Sequence, residues 1–175
     1  AYEPQAMMGP VHLDPEQGKQ TTSLSVPRGS MLYSKPVDGV PCKFRTCYPA
    51  TLWPLAVSEA QWRTPDRLEP PLRAPEAAAA CRLELTCLPD VAFDHLDLQS
   101  LRFYLNGESS LVHALYELLS NNCTGIVIRD LTPHSRKPPM RLAPEALRPV
   151  GFREEEAMLP YPRRSFAGYR LLQEY

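Results

Sequence analysis

Ser110, His113 and Glu117 are the residues whose types and spacing come closest to a catalytic arrangement. Spacings of three and four place side chains along one face of a helix, and these residue types are the nucleophile, base and orienting group of acyl-transfer enzymes. Side chains in a row along one helix rarely have the mutual angles that a triad needs, so a solvated polar face is the better interpretation. The chain also lacks GxSxG, HExxH, Walker and GxGxxG motifs. We therefore expect no catalytic residues and no enzymatic activity.

Metal binding by cysteines is a second chemical possibility. The chain has five cysteines, which are Cys42, Cys47, Cys81, Cys87 and Cys123. On an extended strand, Cys42 and Cys47 face opposite ways because an odd number of positions separates them. Cys81 and Cys87 share a face but lie roughly 20 Å apart on an extended strand. We expect buried apolar thiols in a reducing compartment, with no metal, no cofactor and no disulfide.

Composition and charge argue against several classes of partner. The 175 residues carry a net charge of −1, which gives no electrostatic reason to expect nucleic acid or an acidic membrane surface. No apolar run approaches the ~18 residues that span a bilayer, so we expect no membrane insertion. The 20 prolines favour many extended segments and loops.

The most strongly patterned stretch runs from 101 to 130. Alternation of apolar and polar residues predicts strands over 101–105 and 126–128. Between them, helical spacing of apolar residues predicts an amphipathic helix over 108–120. The apolar stripe of this helix consists of Leu111, Leu115, Leu118 and Leu119. If the stripe packs against a sheet, Leu115→Ala costs ~2–5 kcal/mol of stability.

Short alternating segments predict that the rest of the fold is mostly β. Segments 21–26 and 31–34 form a predicted hairpin through the turn 27–30, and Asp38-Gly39 forms another predicted turn. Further predicted strands cover 42–48, 52–62 and 81–88. On the predicted strand 52–62, one face contains Trp53, Leu55, Val57 and Glu59. We predict an α+β fold, mainly an antiparallel β-sheet or sandwich, with the helix 108–120 packed against it and a second helix at the C-terminus.

Composition divides the chain into three predicted regions. Residues 1–20 form an extended N-terminal segment, 21–150 a β-rich domain, and 151–175 a C-terminal segment that continues in a longer chain. Within the domain, 63–80 holds four prolines and a run of alanines, so we expect a mobile loop there. A second loop is predicted over 133–144.

The C-terminal segment has an amphipathic helical pattern that begins near Ser165, a candidate N-cap. One side gathers Tyr169, Leu171, Leu172 and Tyr175, and the other gathers Arg170, Gln173 and Glu174. No Gly, Asn or Pro ends this pattern, so we expect the helix to continue in a longer chain and to dock its aromatic side on a neighbour. The candidate partner-binding residues are Arg163, Arg164, Phe166, Tyr169 and Tyr175.

Three strings of residues resemble one known family. They are FRTCYPATLWPLAV (44–57), LRFYLNGESSLVHALYELL (101–119) and LRPVGFREEEAMLPYPRRSFAGYRLLQEY (147–175). Together they resemble TssF, also called ImpG or VasA, a baseplate subunit of the bacterial type VI secretion system. TssF chains are much longer, so the resemblance implies an internal portion of such a subunit.

The resemblance implies a non-enzymatic structural component of a contractile injection system. In this family, two TssF copies and TssG form a wedge, which TssK joins. The wedges surround the VgrG spike and start tail-sheath assembly through TssE, and contraction then delivers effectors. The implied location is the bacterial cytoplasm, with the baseplate docked at the inner-membrane complex. The family has no catalytic residues to transfer to this chain.

A ligand-binding β module, with carbohydrate as the ligand, is the alternative function. The aromatic side chains that would serve as sugar platforms are Trp53, Trp62 and Tyr104. In the competing interpretation these aromatics fill the core. Exposed coplanar aromatics in a concave groove would favour ligand binding, whereas exposed apolar patches on flat surfaces would favour protein assembly.

Overall fold

The computed structural model describes residues 21–158 together with Arg164, Arg170 and Glu174. Its strands are β1 (Leu24–Val26), β2 (Met31–Tyr33), β3 (Lys43–Arg45), β4 (Ala50–Leu52), β5 (Leu55–Arg63), β6 (Ala80–Cys87), β7 (Ile126–Ile128) and β8 (Met140–Leu142). The described part also contains helix α1 (Ser109–Asn121) and short 3-10 helices at Pro65–Arg67, Phe93–His95, Pro144–Ala146 and Glu154–Glu156. The strand pairs are antiparallel, which confirms the α+β class.

The first four strands form one interrupted antiparallel ribbon, the β1–β4 ribbon. β1 pairs with β4, and β2 pairs with β3 in the same register. The predicted hairpin between 21–26 and 31–34 is therefore wrong, because both segments lie in the same arm of the ribbon. Pro27 lacks the amide that the ladder needs, and the arm resumes where the Gly29 amide donates to the Thr46 carbonyl at 2.9 Å.

The β1–β4 ribbon ends in a tight turn at Asp38 and Gly39. Both residues have positive φ, 51° and 80°, which is the type I′ geometry that matches the twist of a hairpin. The Val37 amide donates to the Val40 carbonyl at 3.1 Å, and the Val40 amide donates to the Val37 carbonyl at 3.0 Å. Because Asp and Gly tolerate this backbone conformation, the turn predicted here is confirmed.

β5 and β6 form the longest strand pair, and a bulge in β5 changes which side chains share a face. The register slips between Val57 and Glu59, so Ser58 is an extra residue in β5. The predicted alternation, which placed Glu59 on the face of Val57, is wrong beyond this point. Glu59 instead pairs with Glu84 on the opposite face. The predicted strand over 81–88 is confirmed as β6.

The pair of β7 and β8 lies after the helix. The strand predicted over 126–128 is confirmed as β7, whereas β8 lies within the predicted loop 133–144. The strand predicted over 101–105 is wrong, since it belongs to no strand pair in the described part of the chain. Its Arg102 side chain instead lies over the Tyr48 ring, 5.4 Å from the centroid. Alternation alone does not supply the neighbouring strand that a sheet requires.

Helix α1 begins at Ser109, and the preceding residue, Glu108, caps it. The Glu108 carboxylate accepts hydrogen bonds from the Ser110 amide at 3.1 Å and from the Ser110 hydroxyl at 2.5 Å. The hydroxyl bond first, and then the amide bond, hold the pKa of this carboxyl below its usual range. The predicted helix 108–120 is confirmed, with each end shifted by one residue.

No side chain of α1 is fully buried by the described residues. Leu115 and Leu119 are half-buried, while Leu111 is 64% and Leu118 is 43% exposed. Extensive contacts between the described elements are confined to the strand pairs. The expectation that α1 packs its stripe against a sheet is therefore wrong for the described residues. The ~2–5 kcal/mol loss of stability expected of Leu115→Ala applies to a fully buried leucine, and Leu115 is only half-buried by the described residues.

The core within the described residues is small. Its buried apolar side chains are Pro54, Pro65, Leu68 and Ala157. Two of them, Pro65 and Leu68, lie in the connection 63–80, so part of this connection is packed. Its mobility and the division into three regions stay predictions. Residues 1–20 and the aromatic side of the predicted C-terminal helix lie outside the described residues.

We predict that Gly39→Ala weakens the β1–β4 ribbon at its end. A Cβ at this position meets no atom within 4 Å, so the cost is backbone strain at positive φ, about 1 kcal/mol. Hydrogen exchange at the Val37 and Val40 amides of the full-length protein should become about fivefold faster. Gly107→Ala is the control, because its φ is not left-handed and its Cβ meets Val112 at an ordinary 3.6 Å. Equal effects of the two substitutions would contradict the assigned turn.

We also predict a pH-dependent start of α1. The folded-state pKa of Glu108 lies below its ordinary value of 4.5, so the stabilisation by its carboxylate is complete above pH 4.5 and is lost as the pH falls through the folded value. The measurement is hydrogen exchange of the Ser110 amide, corrected for the intrinsic exchange rate at each pH. At pH 7, this amide should be less protected in Glu108→Gln than in the wild type. The two proteins should converge at low pH, and a difference that persists there would show that the cap is not electrostatic.

Candidate assembly surface

Residues 150–158, the clamped loop, are held by side chains from distant parts of the chain. Arg28, in the bend between β1 and β2, donates from Nη1 to the Glu155 carbonyl at 3.2 Å and from Nη2 to the Ala157 carbonyl at 2.5 Å. Its partners are 127 and 129 positions away in the sequence. A guanidinium can make both bonds because its planar group presents two donors side by side.

A second guanidinium, that of Arg170, reaches the other end of the clamped loop. Its Nη1 donates to the Gly151 carbonyl at 3.1 Å, and its Nη2 donates to the Phe152 carbonyl at 2.9 Å. Glu174 accepts from Arg170 Nη1 at 3.4 Å and from the Met158 amide at 2.9 Å. The Arg170 and Glu174 side chains are only 9% and 0% exposed. Buried charges are tolerated when they are paired and hydrogen-bonded, and this pair meets both conditions.

The clamped loop also contains two internal hydrogen bonds. Glu156 ends the short 3-10 helix, and its Oε2 accepts from the Gly151 amide at 2.8 Å and from the Arg153 amide at 3.3 Å. Burial acts to raise the pKa of the Glu156 carboxyl, but the bonds from the two amides outweigh it, and the net pKa is lowered. The backbone of the loop is therefore fixed. Glu156 within the loop and Glu174 outside it bind its amides, and two arginines outside the loop bind its carbonyls.

The connection 63–80 is fastened by arginines of the β7–β8 pair. Arg129, which follows β7, donates from Nη1 to the Pro70 carbonyl at 2.7 Å and from Nη2 to the Pro71 carbonyl at 2.9 Å. Arg141, in β8, donates to the Arg73 carbonyl at 3.3 Å. The same kind of contact, a guanidinium on loop carbonyls, thus recurs at a second place in the fold.

Apolar side chains remain exposed on helix α1 and at the end of the β1–β4 ribbon. Leu111 and Leu118 are seven positions apart and lie on one side of α1; we call them the α1 leucine stripe. At the end of the β1–β4 ribbon, Val37 and Val40 are 66% and 69% exposed. Exposed apolar side chains that lie close together are typical of surfaces that bind other proteins.

The structure describes one of the five predicted partner-binding residues, Arg164, which is exposed. The others, Arg163, Phe166, Tyr169 and Tyr175, lie outside the described residues, and their role stays a prediction. The pattern placed Arg170 and Glu174 opposite the docking side of the helix, but both are buried. The signal that would have found them is the spacing of four between opposite charges, which is typical of a helical ion pair.

Comparison with known proteins decides the family. The family described as "Type VI secretion system, TssF" matches residues 2–175. The chain belongs to the TssF family. The type VI secretion system component TssF1 of Pseudomonas aeruginosa is 38% identical to it over 167 residues, 93% of this chain and 26% of the relative. The chain thus spans about a quarter of the length of this curated relative, and no solved structure matches it.

In this TssF-family chain, the serine, histidine and glutamate on α1 do not form a catalytic triad. The Ser110 hydroxyl is bound to the Glu108 carboxylate. His113 Nδ1 instead lies 3.3 Å from the Ser109 hydroxyl, and all of these residues are exposed. This geometry agrees with the solvated polar face inferred from the sequence. Among the described residues, no carboxylate is bonded to His113 to orient it, as a triad would require.

The positions of the thiols and of the apolar segments in this TssF-family chain bear on metal binding and on membrane insertion. All five cysteines lie in the described part, and none is in a disulfide. The expectation of buried thiols is wrong for the described residues, because Cys42 and Cys81 are exposed and the other three are half-buried. Among the described residues, no three His, Cys, Asp or Glu side chains are grouped as they would be around a metal ion. Within the same residues, no helix has both the length and the apolar content for crossing a bilayer.

The aromatic side chains do not form a sugar platform in a groove of the described residues. Trp62 and Tyr104 are 49% and 68% exposed, and Trp53 is half-buried. A cavity of about 470 Å³ is lined by residues between Pro65 and Ala77, none of which is aromatic. Because none of the three aromatics lines this cavity, the arrangement differs from the one expected of a carbohydrate site.

We predict that Arg170→Met strongly loosens the clamped loop. The substitution removes two bonds to loop carbonyls and leaves the buried Glu174 carboxylate without its cation, which costs about 3–5 kcal/mol for a buried pair. Hydrogen exchange at the Gly151 and Met158 amides of the full-length protein should rise more than about a hundredfold. Arg164→Met, at an exposed arginine of the same segment, should change it little. Comparable exchange in both variants would mean that the buried pair does not hold the loop.

Proposed function

We propose that this TssF-family chain is part of a non-enzymatic structural component of the type VI secretion baseplate. The observation that carries the proposal is the exposed apolar surface of α1, where Leu111 is 64% exposed. Leucines on a well-formed helix are stabilised when another protein surface covers them. Membership of the TssF family supports a place in the type VI secretion machinery.

The arginine contacts support a structural role for a physical reason. A loop that is already ordered loses less conformational entropy on binding than a flexible one. The clamped loop is ordered by Arg28, Arg170 and Glu156 before any partner arrives. A component that must join several proteins in fixed geometry benefits from such preorganised surfaces.

The proposed partners are other baseplate proteins: TssG, TssK, TssE, a second TssF copy and the VgrG spike. The proposed setting is the wedge that starts tail-sheath assembly, in the bacterial cytoplasm and docked at the inner-membrane complex. No specific observation favours the alternative carbohydrate-binding module, because no aromatic side chain lines the cavity near Pro65.

The test is co-purification of the full-length protein expressed from its own operon. Affinity purification followed by mass spectrometry should recover TssG and TssK in stoichiometric amounts. Recovery of a bound sugar without these proteins would overturn the proposal.

We predict that the α1 leucine stripe contributes to this assembly. Leu111→Asp combined with Leu118→Asp places charge where apolar contact is expected, and burial of each leucine is worth about 1.5–3 kcal/mol. Recovery of TssG and TssK should fall at least about tenfold, with the melting temperature of the isolated full-length protein unchanged. Ser120→Asp, on the opposite side of the helix, is the control and should leave recovery unchanged. Normal recovery with the double variant would remove the stripe from the interface.

A further inference from the structure

The β5–β6 pair has one face without charge. Because of the bulge at Ser58, residues of β5 on both sides of it reach the same face as the apolar residues of β6. The cross-strand pairs on this face are Leu55 with Cys87, Val57 with Leu85, Ala60 with Leu83, and Trp62 with Cys81. We call these eight residues the β5–β6 apolar face. A strand without the bulge would place Glu59 among them.

The opposite face of the same pair is polar and internally paired. Arg82 forms ion pairs with Glu59 across the strands and with Glu84 along β6. Gln61 and Arg63 extend this row, since Arg63 Nε donates to Gln61 Oε1 at 2.9 Å. The first cause of the lowered pKa of the Glu59 carboxyl is its hydrogen bond from Arg82. This face is therefore suited to water, and the apolar face is the one suited to burial.

The β5–β6 apolar face is uncovered along much of its length. Val57 is 51% exposed, Trp62 is 49% exposed and Leu83 is 41% exposed. Towards the other end, Leu55 and Leu85 are half-buried. A two-stranded sheet is marginally stable in water unless a further layer or strand covers its apolar side. The face thus requires a cover that the described residues do not supply.

The size of the β5–β6 apolar face limits what can cover it. Eight residue pairs at ~3.3 Å per residue, on two strands ~5 Å apart, give a footprint of roughly 260 Å². A stable interface between separate proteins buries about 800 Å² on each partner. The face is too small to hold a second copy or another protein by itself. A segment of the same polypeptide needs no such area, because its effective concentration is high.

We infer that the β5–β6 apolar face is covered by an apolar segment of the same polypeptide that lies outside the described residues. The matched region is 26% of the length of the Pseudomonas relative, so about three quarters of that relative lies elsewhere in its chain. A charge-free face resembles a domain core more than a transient interface, whose composition is more polar. The inference does not depend on the baseplate role, and its test is independent of partner recovery.

The test is alkylation of Cys81, which lies on this face, in the full-length protein purified alone. N-ethylmaleimide modification is followed by peptide mass spectrometry, and the rate is compared with that in urea. A cover from the same polypeptide predicts modification at least about a hundredfold slower in the native protein, at every protein concentration. Rapid modification in the isolated protein would overturn the inference, whether or not partner proteins slow it. Protection that appears only at high protein concentration would also overturn it, in favour of a second copy.

A pair of variants gives a second measurement. Leu83→Asp places a charge on the β5–β6 apolar face, and Thr86→Asp places one on the polar face of the same strand. In the isolated full-length protein, Leu83→Asp should lower the melting temperature by several degrees, and Thr86→Asp should change it little. If Leu83→Asp leaves the melting temperature unchanged and instead reduces recovery of a partner, the inference is wrong. If Leu83→Asp prevents folding, the alkylation of wild-type Cys81 still decides between the outcomes.

Discussion

Hydrogen bonds from arginine side chains to loop carbonyls connect parts of this chain that are far apart in sequence. Arg28, Arg129 and Arg170 each donate from their two Nη atoms to two successive or nearby carbonyls. These contacts tie the β1–β4 ribbon to the clamped loop and the β7–β8 pair to the connection 63–80. A bond of a charged donor contributes about 1.5–3 kcal/mol where it is protected from water, as at the buried Arg170, and less where it is exposed, as at Arg129. In a fold with few buried apolar side chains, such bonds set the positions of the loops.

The small core and the exposed apolar faces are consequences of the same organisation. The strands form separate two-stranded pairs, and such pairs cannot bury both an apolar face and their edges against each other. The arginines fix the loops, but they do not cover the α1 leucine stripe or the β5–β6 apolar face. These surfaces therefore remain for other proteins or for other parts of the polypeptide. Loops that are held by arginine hydrogen bonds, beside apolar surfaces that remain exposed, agree with a structural component of a larger assembly.

Local chemistry could be predicted from the sequence, and long-range pairing could not. The Asp38–Gly39 turn and the helix 108–120 follow from backbone preferences and apolar spacing, and both are confirmed. The hairpin predicted around 27–30 failed because alternation does not show which strand is the partner. The bulge at Ser58 has no signature in the alternation, and one extra residue reverses every face after it. The burial of Arg170 depends on carbonyls about twenty positions away, which no local pattern specifies.

The most direct test of the arginine contacts replaces Arg129 by lysine in the full-length protein and follows exchange of the Leu72 amide. Lysine keeps the charge but cannot donate to two carbonyls with one planar group. Since the Leu72 amide bond closes the stretch that Arg129 holds, the account predicts exchange about threefold faster. Arg136→Lys, at an exposed arginine between β7 and β8, should leave it unchanged. Unchanged exchange in Arg129→Lys, or equal acceleration in both variants, would contradict the account.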